Sequence, residues 1–501
     1  MKTRSLCTRL LRSVLLLLVF VLGLFSTPTP AYAFSGGGSG TPDDPYIITT
    51  PAELNEVRND TRACYKLGND IDMSGWGNWT PIGWSGGDSY PFVGLFDGDY
   101  HTISGLTINQ PNRDYVGLFG GMGFPNSPYN KVMNLRLTDV NVLGKQFVGG
   151  LAGQARYGAR IERVYVDGFV SSSGSEGYCA GGVVGNMGWY GTATMSECVS
   201  KATVNTTWSI AGGLTAMVSF DTYGGSPPHV VSDSYATGAV TASADRGYAG
   251  GLAGWVEGTI LRCYSVGQVT GGNAGRLAGN ADSTALCESS YWDNSTGTSA
   301  LGTGKPTAQL KQQATYVGWD FSKVWGINPG VSFPYLRWET RPVMRGSAGI
   351  TGTAKVGQTL VVDTSGLTYT AVSLGNVLTY QWKRDGAVAS EGTSNTSYLL
   401  GADDVGKKMT VVVTADDDHA QGRVVSSATA VVAKMDGAAA PTAPDLAGKT
   451  HRVVTLKPVD GYEYRVNGGS WQDSNVFTGL TPETTYAFTC RLKETAVQYA
   501  S

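Results

Sequence analysis

The chain has 501 residues, of which 69 are glycine, 41% are apolar and 15% are charged, with a formal net charge of −3. The glycine share is roughly double the usual value of about 7%, but the apolar fraction suffices to fill cores, so disorder is excluded and turn-rich structure is expected. A slightly acidic balance without a long basic run excludes nucleic acid as the expected partner.

At the amino terminus, Lys2, Arg4, Arg9 and Arg12 precede an apolar run from Val14 to Phe25, followed by Ala31-Tyr32-Ala33. This pattern predicts a secretory signal peptide over residues 1–33, cleaved before Phe34. The run is too short to span a bilayer comfortably, and no later segment is long and apolar enough, so no membrane span is expected after its removal. Its four cations and absence of acids take the formal net charge from −3 to −7. The expected location is secreted, extracellular or at the cell surface. Six cysteines then remain: Cys64, Cys179, Cys198, Cys263, Cys287 and Cys490. The even number in an exported chain leaves one or two disulfides open. However, no CxxC spacing occurs and four of the six fall at repeat positions held elsewhere by Val, Ile, Phe or Ser, so buried thiols are the main expectation.

Next comes Thr50-Pro51-Ala52-Glu53, a capping box with proline in the first helical position, which predicts a short helix from about residue 51. Asp70 to Gly75 begins like a calcium loop, but Pro81 stands where the closing acid belongs, so a strand and turn are expected. A glycine motif then recurs, with first glycines at Gly94, Gly117, Gly149, Gly181, Gly212, Gly250 and Gly275, at steps of 23 to 38 residues. Periods of about 20 to 50 residues mark stacked repeats. Each glycine is expected to turn a corner at positive φ.

Between these motifs, six segments align without gaps: VMNLRL at 132, IERVYV at 161, MSECVS at 195, VSDSYA at 231, ILRCYS at 260 and CESSYW at 287. The first column (Val132, Ile161, Met195, Val231, Ile260, Cys287) and the fourth (Leu135, Val164, Cys198, Ser234, Cys263, Ser290) are apolar or small and are expected to face inward. The third (Asn134, Arg163, Glu197, Asp233, Arg262, Ser289) offers opposite charges for stacking on an outer face. The fifth column contains Tyr165, Tyr235, Tyr264 and Tyr291. Next to an inward column it should face out, and it forms either a ligand-binding aromatic stripe or a ladder in which each ring packs on the next coil. Taken together, the predicted fold is all-β: a parallel β-solenoid in which each coil buries its inner face against its neighbours.

The GGLAG-type motifs followed by CYSVGQV resemble the GLUG repeats of bacterial and archaeal surface proteins. Upstream, GSGTPDDPYIITTPAELNEV and YKLGNDIDMSGWGNWTPIG are similar to that family's amino-terminal cap; downstream, TAQLKQQATYVGWDFSKVW and FPYLRW are similar to its closing segment. The resemblance implies a β-helix-like domain over residues 34–345, lidded by the helix. Some chains of this family resemble IgA-cleaving metallopeptidases, but none of His101, His229, His419 and His451 lies in HExxH.

Residues 346–434 alternate in strand fashion around Trp382 and are similar to immunoglobulin-like β-sandwich repeats. Asp416 to His419 reads there as a polar hairpin tip. A linker over 435–440 follows. Residues 441–501 carry Leu480 to Tyr486, LTPETTY, resembling the tyrosine-corner signature of fibronectin type III modules, in a segment shorter than a full module. A carboxy-terminal continuation or anchor beyond Ser501 is expected. No catalytic, metal or cofactor residues are predicted. The resulting expectation is a non-enzymatic adhesion or envelope-scaffold protein with a glycan or cell-surface protein as partner, and Tyr165, Tyr235, Tyr264 and Tyr291 as the candidate ligand surface. The alternative is a polysaccharide lyase or glycosidase on a β-helix, which needs converging carboxylates. Glu162, Glu197, Asp233, Glu257 and Glu288 occupy repeat columns and read instead as solvated or paired faces.

Overall fold

The computed structural model describes residues 34–83, 90–174, 179–189, 191–207, 210–221, 227–243, 247–370, 377–416 and 419–501. The signal-peptide segment and Asp417–Asp418 lie outside these residues. The chain is all-β and divides into two compact units, one containing residues up to Trp319 with Ile327–Pro334, the other Asp320–Gly326 with Tyr335–Ser501. Among the described residues no helix is long and apolar enough to cross a membrane.

The first unit starts with the capped helix Pro51–Glu56. The Thr50 hydroxyl accepts the Glu53 N–H at 3.2 Å, while the Glu53 carboxylate accepts the N–H groups of Thr49 and Thr50 at 2.6 and 2.9 Å. Leu54 and the adjoining Val57 are fully buried against the sheets, which is why so short a helix holds. Each repeat then contributes one strand to each of two six-stranded parallel sheets and further strands to a large parallel sheet. The three sheets share a single buried cluster.

In the first six-stranded sheet the motif glycines lie in direct register, with Gly149, Gly181, Gly212, Gly250 and Gly275 paired in succession. Their role differs from the expected one, because none of them has a positive φ. The constraint is space. A Cβ on Gly212, Gly250 or Gly275 would overlap the carbonyl oxygen three residues ahead, of Thr215, Ala253 or Ala278. The second glycine of each pair faces across a narrow interior. A Cβ on Gly150 or Gly213 would press on the side chain of Val166 or Ala236, at 2.6 and 2.7 Å.

Left-handed backbone occurs instead in the third column of the large sheet, where Asn134, Arg163, Glu197, Asp233, Arg262 and Ser289 have φ between 45° and 54°. This conformation is uncommon outside glycine, and its recurrence in every repeat marks a corner. It explains how the first and fourth columns both face inward. Strict alternation would place positions three apart on opposite faces, and the corner turns the chain between them. Ile161, Met195, Val231 and Ile260 of the first column and Val164, Cys198 and Cys263 of the fourth are all fully buried.

In the second unit, a four-stranded antiparallel sheet containing Leu378–Arg384 and Met409–Asp416 and a three-stranded one containing Thr359–Asp363 share a cluster around Leu360, Trp382, Val411 and Val413. Met409–Asp416 pairs with Gln421–Val425 across the Asp416–His419 segment. The segment expected as a linker is partly pinned, since the Met435 N–H donates to the Val497 carbonyl at 2.8 Å and the Met435 carbonyl accepts from Tyr499 at 3.0 Å. Beyond it, Leu456, Tyr464 and Phe477 form a small cluster, and the Tyr486 hydroxyl accepts the Thr481 N–H at 2.8 Å.

Candidate functional site

The tyrosine column does not form an exposed stripe. Tyr165, Tyr235, Tyr264 and Tyr291 are only 9, 3, 1 and 6% exposed. Their alternation relative to the inner columns holds, and the register Tyr235–Tyr264–Tyr291 is continuous. The rings of Tyr235 and Tyr264 stack at 4.9 Å, 9° from parallel. The correction has a tertiary cause, since the closing segment lies over the column. Tyr264 donates to the Pro334 carbonyl at 2.6 Å and lies 6.3 Å from the Phe333 ring. Tyr291 meets Tyr316 edge-on at 5.2 Å, and Trp319 packs on both while donating to the Ser289 carbonyl at 2.8 Å. Farther along, Tyr165 lies between Arg136 and Lys201 at 5.3 and 5.2 Å, with its hydroxyl on Asp167.

Three of the five repeat acids are ion-paired, and Glu288 is exposed. Glu162 meets Lys131 at 2.6 Å and Glu197 meets Arg163 at 3.6 Å. Arg262 holds Asp233 through two bonds of 2.6 and 2.5 Å. Glu257 accepts the indole N–H of Trp255 at 3.1 Å. Among the described residues no cluster of three metal-ligating side chains occurs. All six described cysteines are free thiols, four of them buried. Cys198 donates to the Ser196 carbonyl at 3.2 Å. Burial pushes its thiol up to about 12, and pushes Cys179 and Cys263 in the same direction.

A different surface gathers unused charge. Where the capped helix gives way to the first strands, a groove of about 590 Å³ is lined by Arg58, Arg62 and Arg113 with Asp60, Thr80 and Tyr90. Arg58 lies 5.2 Å over the buried Trp79 ring and donates to the Thr80 carbonyl at 2.9 Å. Arg113 donates to Gln110 at 3.2 Å, while its buried Nε and Nη2 have no partner among the described residues. Desolvation lowers the pKa of both Arg58 and Arg113, and for Arg58 the like charge of Arg113 adds to it. Asp60 spends one carboxylate oxygen on the Arg62 N–H at 3.0 Å. The Arg62 guanidinium lies 5.0 Å over Tyr90, whose ring meets Phe124 edge-on at 6.1 Å. These two rings are 56 and 43% exposed. The repeat alignment did not single these residues out because they lie outside its columns. The available signal was the pair Arg58 and Arg62, four apart at the end of the helix.

No family model matches the chain. Halomucin of Haloquadratum walsbyi is 34% identical over 322 residues, covering 60% of this chain and 3% of halomucin. A protein of Evansella cellulosilytica provisionally named as a Gly-rich membrane protein is 29% identical over 391 residues, covering 58% of this chain and 44% of that relative. The matches thus span less than half the length of these two relatives. Among solved structures, one provisionally named as an immunoglobulin A1 protease of Bacteroides ovatus has a TM-score of 0.45 and 23% identity, covering 60% of this chain and 94% of that one.

Proposed function

We propose that the chain is a secreted, non-enzymatic protein of the cell surface, built on a GLUG-type β-solenoid and two small β-sandwich modules, and serving adhesion or envelope scaffolding. The observation that carries this reading is the register of the repeats. Five glycines in direct succession, with apolar columns beside them, build a uniform stack of repeats in which Glu162, Glu197 and Asp233 are spent on cations of neighbouring repeats. Such a body suits presentation and spacing more than the concentration of reactive groups at one place. The similarities to halomucin and to a protein named for the membrane support an extracellular or surface location. Trp382 at the centre of two sheets supports the immunoglobulin-like assignment, and the Tyr486–Thr481 bond supports the fibronectin-like one.

Protease treatment of intact producing cells tests the location. Loss of the chain with cytosolic markers preserved is expected, whereas full protection inside intact cells overturns the reading. Incubating the purified chain with polysaccharides tests the activity class, and release of reducing ends or unsaturated products would establish the enzymatic alternative.

A further inference from the structure

We infer that the groove of Arg58, Arg62 and Arg113 binds an anionic sugar residue of a polysaccharide, its carboxylate or sulfate held by the guanidiniums and its ring resting against Tyr90. This deepens the proposed function and rests on its reading of a cell-surface protein serving adhesion or envelope scaffolding.

Three cations gather at one groove of a chain whose net charge is negative. Among the described residues none of the three is ion-paired, unlike Arg163 and Arg262 of the repeats. Two of them are half-buried, and leaving like charges desolvated and unpaired beside one another is unfavourable unless an anion arrives. The planar guanidinium fork matches the oxygens of a carboxylate or sulfate. The neighbouring aromatic rings supply what a simple ion site lacks. Tyr90, which lines the groove, is largely exposed, as stacking against the C–H face of a sugar requires, and the exposed Phe124 ring props it edge-on. The groove volume lies within the range of small-ligand sites, about 300 to 1,000 Å³, which accommodates one or two sugar rings. A purely architectural role accounts for Arg58, which ties the Thr80 carbonyl to the helix end, but for neither Arg62 nor the exposed rings.

The test uses the full chain with polygalacturonate, chondroitin sulfate and neutral dextran as probes, titrated at low and at moderate salt. Binding of at least one polyanion is expected, weakening as salt rises, with dextran unbound. Preference between the two polyanions distinguishes carboxylate from sulfate as the recognised group. The Arg62→Gln/Arg113→Gln variant should bind about 10-fold more weakly or worse. If that variant melts early, Arg62→Gln alone and Tyr90→Ala, both at exposed side chains, provide the readout and should each weaken binding several-fold. Unchanged affinity in these variants, dextran bound as well as the polyanions, or no polyanion bound at all overturns the inference. Surface exposure on intact cells is measured separately, so the broader reading survives or falls on its own.

Discussion

A Cβ is the smallest possible change to Gly250, and it would meet the carbonyl oxygen of Ala253 inside a corner that is stacked on identical corners above and below. Gly250→Ala is therefore expected to lose about 1–3 kcal/mol, whereas Gly75→Ala, where a Cβ meets open space, should leave stability within about 0.5 kcal/mol. Denaturant melts of the two variants compare a steric requirement with a merely flexible position. Ile260 is fully buried between Val231 and Cys287. Ile260→Asp would place an unpaired carboxylate there at a cost of about 3–5 kcal/mol, and a near-native melting point in that variant would contradict the inward assignment of the column.

At the scale of elements, the lid helix is held by a carboxylate that must stay ionised. Burial pushes the pKa of Glu53 up, but the bonds from Thr49 and Thr50 outweigh it and the net shift is downward from 4.5. A depressed folded pKa means stabilisation that is present above the ordinary value and lost as pH falls through the folded one. The wild-type advantage in melting temperature over Glu53→Gln should thus be full at pH 7 and close below about pH 4.5; a pH-independent gap would show that the charge is irrelevant. The tyrosine column depends on the segment that covers it. Tyr264→Phe removes the bond to the Pro334 carbonyl and leaves that buried oxygen without this donor, at a cost of about 1–2 kcal/mol. Faster hydrogen exchange at residues 327–334 would locate the effect, and unchanged exchange would argue against the covering role.

For the whole molecule, the two units have separate buried clusters, one shared by the parallel sheets in the first, and one around Trp382 with a smaller one around Tyr464 in the second. Domains with their own cores unfold as separate cooperative units. Calorimetry should resolve at least two transitions, with Ile260→Asp lowering only the one of the parallel sheets and Val413→Ala, which opens a cavity in the cluster around Trp382, lowering only another. A single transition moved by either substitution would show that the units unfold together.

The inward columns, the pairing of opposite charges along the third column, the capping box at Thr50 and the core tryptophan Trp382 were legible in the sequence, because each depends on spacing along one strand or helix or on repetition at a fixed step. The first glycine of each motif was also visible, but not its reason: overlap with a carbonyl three residues ahead becomes apparent only once the corner is built. The left-handed corner in the third column was hidden because Asn, Arg, Glu, Asp and Ser carry no common chemical mark for it. Burial of Tyr264 and Tyr291 was decided by Tyr316, Trp319, Phe333 and Pro334, which close over a face that local alternation correctly turns outward, and that of Tyr165 by Arg136 and Lys201. The arginine groove likewise exists only through the fold, since Arg58 and Arg113 come from separate segments and meet where the helix end packs beside the first strands. Periodicity along the chain determines which side chains share a face; whether that face meets water or another segment is set by distant residues that pack against it.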